Sequence, residues 1–128
     1  MDEAALKGRL CDLIRKVKPR YVVLRLEDRF THGIPDISIT GNQRQSWWEV
    51  KKASPRFTGQ GIQELTMLRL ARQCEAFYLV YYEVKKEQRT YIIHPTKIGV
   101  PLEDLPYEEG FNHEHVLATI LQVHHDTR

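Results

Sequence analysis

Ile34-Pro35-Asp36-Ile37-Ser38-Ile39-Thr40-Gly41-Asn42-Gln43-Arg44-Gln45-Ser46-Trp47-Trp48-Glu49-Val50-Lys51 is the stretch on which the fold turns. Both ends of it alternate with the period of two that half-buried strands show. Ile37 and Ile39 share one face, with Asp36, Ser38 and Thr40 on the other; Trp48 and Val50 share a face, with Trp47, Glu49 and Lys51 opposite. Gly41-Asn42 is a turn signal, so an antiparallel hairpin is the economical reading. With Asn42 and Gln43 as its central residues, Ile37 faces Trp48 and Ile39 faces Ser46. Asp36 then faces Glu49, with their Cβ atoms roughly 4.5–5.5 Å apart. A longer loop would slip this register by a residue or two.

Two facing carboxylates repel, and each raises the other's pKa unless a cation lies between them. A divalent metal resolves that conflict, and magnesium takes one or two carboxylates while keeping several waters. Lys51 follows Glu49 by two residues on the same face, where an ammonium could orient an attacking water or meet developing negative charge. The Val50 carbonyl between them is a further candidate ligand. An Asp and a later Glu-x-Lys also occur on solvated sheet faces. The apolar strands around them and Pro35 at the entry to Asp36 favour a built site.

At these residues the chain resembles the PD-(D/E)xK nuclease superfamily, whose signature reads here as Pro35-Asp36 and Glu49-Val50-Lys51. The approach Gly33-Ile34-Pro35-Asp36 looks most like the virus-type replication-repair nucleases and the Holliday junction resolvase-like enzymes. The resemblance covers roughly residues 3 to 95. It implies an α/β, restriction-endonuclease-like core: a helix, a strand, the acidic hairpin, a second helix and another strand, in a mixed central sheet flanked by helices. It also implies an acid on the first helix, for which Glu3 is the candidate and Asp12 the runner-up, and a Gln on the second, matched by Gln63 or Gln60. Lys7 departs from the pattern, standing where the replication-repair type often has a Gln.

The remaining sequence agrees with that order. Leu6, Leu10, Leu13, Ile14 and Val17 form a helical stripe over about 3–17, ended by Pro19. Tyr21 to Leu26 reads as a strand and Glu27 to Gly33 as a polar loop. After the loop at Ser54-Pro55 and Thr58-Gly59, a second helix runs from about Ile62 to Cys74. Ala76 to Tyr82 is nearly continuous in apolar character, as a buried central strand would be. Lys85-Lys86-Glu87-Gln88 is expected to turn the chain into a strand from Arg89 to His94. Residues 96 to 112 read as a surface connection, and Glu114 to Val123 as a closing helix.

At 128 residues the chain fits one domain, a core of about 3–95 with a C-terminal extension of about 96–128. A formal charge of +2 does not announce a nucleic-acid binder. Basic residues are nevertheless placed on segments expected near the site: Arg29, Arg44, Lys51, Lys52, Arg56, Arg69 and Arg72, while acids gather in 103–114. Of these, Arg29, Lys52 and Arg56, together with His32, are the candidate phosphate contacts. Each is equally a residue of a solvated face. Trp47, on the active face, would either stack on a base or cover the sheet.

Cys11 and Cys74 offer neither a disulfide framework nor zinc spacing and read as small buried hydrophobes. His113-x-His115 and His124-His125 point in different directions on a short helix and suggest solvated or partly buried roles. No signal peptide or membrane-length apolar run is visible, so a soluble cytoplasmic protein is expected. No Gly-rich phosphate loop or acyl-transfer triad is present, and no organic cofactor is expected. The expected function is a magnesium-dependent endonuclease acting on DNA, with manganese able to substitute. Asp36, Glu49, Val50 and Glu3 would hold the metal, and Lys51 and Gln63 would assist. The other readings are a nucleic-acid-binding module without catalysis and a subunit of a larger DNA-processing assembly; a homodimer is compatible with each.

Overall fold

The computed structural model describes residues 2–26, 34–53 and 62–126 and, of residues 62–64, the backbone only. Its centre is the expected hairpin, strands β2 (Ile37–Gly41) and β3 (Arg44–Ala53). Ile37 lies opposite Trp48, Ser38 opposite Trp47, Ile39 opposite Ser46 and Thr40 opposite Gln45. Asn42 and Gln43 take the turn with φ of 52° and 63°, the double left-handed geometry of the type I′ turn, whose twist matches that of the strands it joins. Gly41, just before it, is required by close approach, because a Cβ there would overlap the Tyr21 ring.

Six strands form one mixed sheet in the order β1-β2-β3-β4-β5-β6. β1 (Val22–Arg25) pairs antiparallel with β2, and β3 pairs parallel with β4 (Glu75–Val84). Helix α2 (Ile62–Gln73) lies between β3 and β4 in the chain, as a parallel crossover demands. β5 (Glu87–Ile93) pairs antiparallel with β4, and the two-residue β6 (Glu108–Glu109) closes the far edge. The mixed α/β architecture read from the sequence is therefore the one adopted. Two details differ. The β4–β5 turn is tighter than expected, with Lys85 at φ 55° letting Glu87 and Gln88 join the ladder. Residues 96–112 contain two short 3-10 turns and β6, held because the Thr90 hydroxyl donates to the Gly110 carbonyl at 2.6 Å. No hydrophobic alternation marks so short a strand.

The two sheet faces carry separate cores. On one, α1 (Glu3–Val17) and α3 (His113–Val123) cover Ile37, Ile39, Trp48, Val50, Leu79 and Tyr81. Leu6, Leu10 and Ile14 face inward from α1, while the Asp2 side chain caps it by accepting from the Ala5 N–H at 2.8 Å. On the other face, Met67 of α2 packs with Ala53, Val80, Tyr91 and Ile93. Cys11 is buried and Cys74 half-buried, both unpaired thiols. Among the described residues, no helix is long and apolar enough to cross a membrane.

The C-terminal segment clasps the hairpin turn. The Asn42 amide donates to the His124 and His125 carbonyls at 2.8 and 3.1 Å. Trp48 Nε1–H donates to Ser46 Oγ at 2.7 Å, Ser46 Oγ meets His124 Nε2 at 2.8 Å, and His124 Nδ1 meets the Gly41 carbonyl at 2.9 Å. A carbonyl can only accept, so the ring proton is on Nδ1 and the Ser46 hydroxyl donates to Nε2. His124 and Ser46 are completely buried, so the partly solvated role expected for this histidine is replaced by a structural one. The Tyr21 hydroxyl and the Lys18 ammonium both bind the Asp126 carboxylate, fastening the same end to α1.

The two turn residues should respond oppositely to glycine. Gln43→Gly relieves a left-handed side-chain penalty and should raise stability by about 0.5 kcal/mol. Asn42→Gly loses the two carbonyl contacts and should lower it by about 1 kcal/mol. Urea unfolding of the two variants beside wild type measures both signs.

Candidate active site

β2 stops at Ile37, while β3 runs on to Ala53. Where the two part, Asp36 is held from three directions. Its carbonyl accepts from the Leu26 N–H at 2.7 Å, at the end of β1. Its Oδ2 accepts from the Val50 N–H at 2.8 Å, and its Oδ1 accepts from the Lys7 ammonium at 3.0 Å. Pro35 behind it is buried. The side chain is thus fixed to β3 by the backbone N–H that separates Glu49 from Lys51.

Glu49 extends the hairpin register one step beyond the Ile37–Trp48 pair, so its carboxyl meets that of Asp36. It is 3% exposed, and its Oε2 has no hydrogen-bond partner. Burial raises its pKa far above the usual carboxylate range, and the neighbouring Asp36 raises it further; Lys51 and Lys7 pull it back only in part. Lys51 Nζ stands 3.7 Å from Glu49 Oε1 and is still 30% exposed at its side chain. Trp47 lies half-buried against the core on the α2 side, covering the sheet.

Sequence reasoning grouped Asp36, Glu49 and Lys51, and the structure brings these three together. Glu3 reaches the same end of β3 but accepts from the Lys52 N–H at 2.9 Å. Among the described residues, no three Asp, Glu, His or Cys side chains converge as a ligand group, so Glu3 does not join the two acids as a third. Asp12 is turned to solvent, 82% exposed beside Arg15. The Lys52 side chain is exposed. Arg29, His32, Arg56, Gly33 and Gln60 lie outside the described residues, as does the side chain of Gln63. Arg44 and Arg72 are far from the acids. Arg44 starts β3 at the turn end, and Arg72 lies where α2 returns to the start of β4, opposite Ser46. Arg44 and Lys51 are seven positions apart along β3, roughly 23 Å.

Lys7 is the residue whose place here the sequence reading missed. In sequence it stands out only as a departure from the family pattern, yet it shares Glu3's helical face at i+4 and continues toward Leu10 and Ile14. A lysine at i+4 from the candidate acid, on the face of the apolar stripe, is the signal that the sequence offers.

Two carboxyls with one unpartnered oxygen and a backbone carbonyl between Glu49 and Lys51 are a donor set that suits a hard divalent cation. Two carboxylates with the balance from water is a usual complement for magnesium.

No family model matches the chain, and no curated protein matches it in sequence. Among solved structures it is similar to the Holliday junction resolvase Hjc of the archaeal hyperthermophile Archaeoglobus fulgidus. The identity is 14%, over 70% of this chain and 75% of that one, with a TM-score of 0.48. A likeness of that size says nothing about chemistry, which follows from the side chains.

A raised Glu49 pKa means that the folded protein binds a proton there which the unfolded chain releases. Stability is therefore lost as pH rises from the ordinary carboxylate value toward the raised one. Without divalent cations, Glu49→Gln should be the more stable protein at about pH 8, by on the order of 1–2 kcal/mol. The difference should vanish near pH 4, where Glu49 is protonated in both states. Denaturant unfolding in EDTA across this pH range is the measurement.

Proposed function

We propose that this protein is a metal-dependent nuclease that hydrolyses phosphodiester bonds in DNA, with Asp36, Glu49 and Lys51 as its catalytic residues. The observation that carries the reading is the meeting of the Asp36 and Glu49 carboxyls, one oxygen of Glu49 buried without a partner, beside an ammonium at 3.7 Å. Burying two acids together costs stability, and the cost is offset when a cation occupies the gap.

Asp36 and Glu49 would hold magnesium or manganese, with the Val50 carbonyl as a further ligand. Glu3, held by the Lys52 N–H one residue along β3, is the second-rank candidate for the metal. When bound, the ion supplies Lewis acidity to the phosphoryl oxygen and to the attacking water. Hydrolysis then forms a bond from the water oxygen to phosphorus and breaks the opposite P–O bond to one sugar. The sugar oxygen takes up a proton, which leaves a phosphomonoester and a hydroxyl. Lys51 orients the water and donates a hydrogen bond to the phosphoryl oxygen as negative charge grows there. Gln63 on α2 assists Lys51, and Arg29, His32, Lys52 and Arg56 hold the backbone phosphates.

The substrate class proposed is DNA that presents its backbone at a bend, such as a junction or flap. Asp36→Asn should abolish magnesium-dependent cleavage. Lys51→Ala should lower it by at least about 100-fold while leaving the circular dichroism spectrum unchanged. Incubation with a panel of junction, flap, single-stranded and duplex DNA, in magnesium, manganese or EDTA, reads out both. Equal cutting by wild type and both variants would falsify the assignment, and binding in EDTA with no cleavage in any metal would favour a non-catalytic module.

A further inference from the structure

Asp36 has both carboxylate oxygens engaged by the protein itself. Val50 N–H holds Oδ2, and the Lys7 ammonium holds Oδ1 at 3.0 Å. The ion pair is sheltered, with side-chain exposures of 19% for Lys7 and 17% for Asp36, so water screens it less than a surface pair. Lys7 is fixed at its base as well. It stands on the first turns of a capped helix between Leu6 and Leu10, both fully packed. Its amine is therefore held at the acids by the fold and does not reach them by chance.

We infer that Lys7 is a built-in competitor for the metal, an ammonium that neutralises Asp36 in the metal-free protein and must yield or be repelled when a divalent cation takes the same carboxylate. This rests on the nuclease reading above, in which Asp36 is a metal ligand. The physical reason is charge balance. With Lys7 present the paired acids are compensated without metal, so the fold stands by itself, and the gain from binding a cation is reduced by the contact that cation displaces. Lys51 does not have this role, because its amine stands 3.7 Å from Glu49 Oε1 and its side chain is 30% exposed, a looser and wetter contact than that of Lys7 with Asp36. Lys7 is accordingly a positioning residue that sets metal affinity, and Lys51 serves the reaction.

The test is calorimetric titration of Mn2+ and of Mg2+ into wild type, Lys7→Met, Lys7→Gln, Lys7→Arg and Asp36→Asn. Lys7→Met and Lys7→Gln should each bind about tenfold more tightly than wild type. Lys7→Arg, which keeps the charge, should bind no more tightly than wild type. In thermal unfolding, added Mg2+ should raise the melting temperature of both neutral variants by more than it raises that of wild type. That second readout keeps the proposal open to test where one variant is marginally folded. Metal affinity in the neutral variants equal to or below that of wild type overturns the role of Lys7 while leaving the site intact. Titrations in which Asp36→Asn binds as wild type does overturn the active-site reading itself.

Discussion

The register of one hairpin decides everything at the site. β strands place successive side chains on opposite faces, so a slip by one residue would turn Glu49 and Lys51 into the α1 and α3 core and take Ile37, Trp48 and Val50 out of it. The left-handed pair Asn42 and Gln43 sets that register at one end. The completely buried Trp48 sets it in the middle, its ring in the core and its indole N–H donating to the Ser46 hydroxyl. The C-terminal segment, which contributes nothing to the acids directly, secures the turn through Asn42, Ser46 and His124. An extension that looked separable from the core in sequence therefore holds the geometry of the site from its far end.

α1 links the two ends. It lies along the sheet so that Lys18, near its C-terminus, reaches Asp126 beside the turn, while Glu3 and Lys7, at its N-terminus, reach Lys52 and Asp36. Leu6, Leu10 and Ile14 between them are the reason it cannot rotate, because turning the helix would expose three fully buried side chains at roughly 2 kcal/mol each. Burial of an apolar stripe thus delivers polar groups to a chosen place.

Much of this was legible in the sequence because it depends on local periodicity. The hairpin, its turn residues, the bounds of α1 and the central strand through Tyr78 to Tyr82 follow from alternation, from Gly41-Asn42 and from Pro19. The facing of Asp36 and Glu49 follows from the same arithmetic. What stayed hidden depends on contacts between residues far apart in the chain. The ion pair of Lys7 with Asp36 joins a helix to a strand end, and no local periodicity announces a contact between residues so far apart in the chain. His124 reads as one of a tail pair until Gly41 and Ser46 are brought to it. Arg44 and Arg72 were grouped with the site by sequence proximity, whereas extended strands carry neighbouring segments far apart in space.

The site's charges also explain why its acids can be buried at all. Asp36 and Glu49 are answered by Lys7 and Lys51, but unequally. Asp36 has two donors within 3.0 Å, whereas Glu49 has one oxygen without any partner and an amine no nearer than 3.7 Å. The result is one carboxylate that the fold satisfies and one that it leaves wanting. A fully satisfied pair would be a stable ornament with no affinity for a further cation; a wholly unsatisfied pair would unfold the hairpin end. The intermediate state retains a folded protein and keeps an unmet demand for positive charge at the place where β2 and β3 part. That unmet demand, held on β3, is the physical basis for proposing that the hairpin end takes a divalent cation.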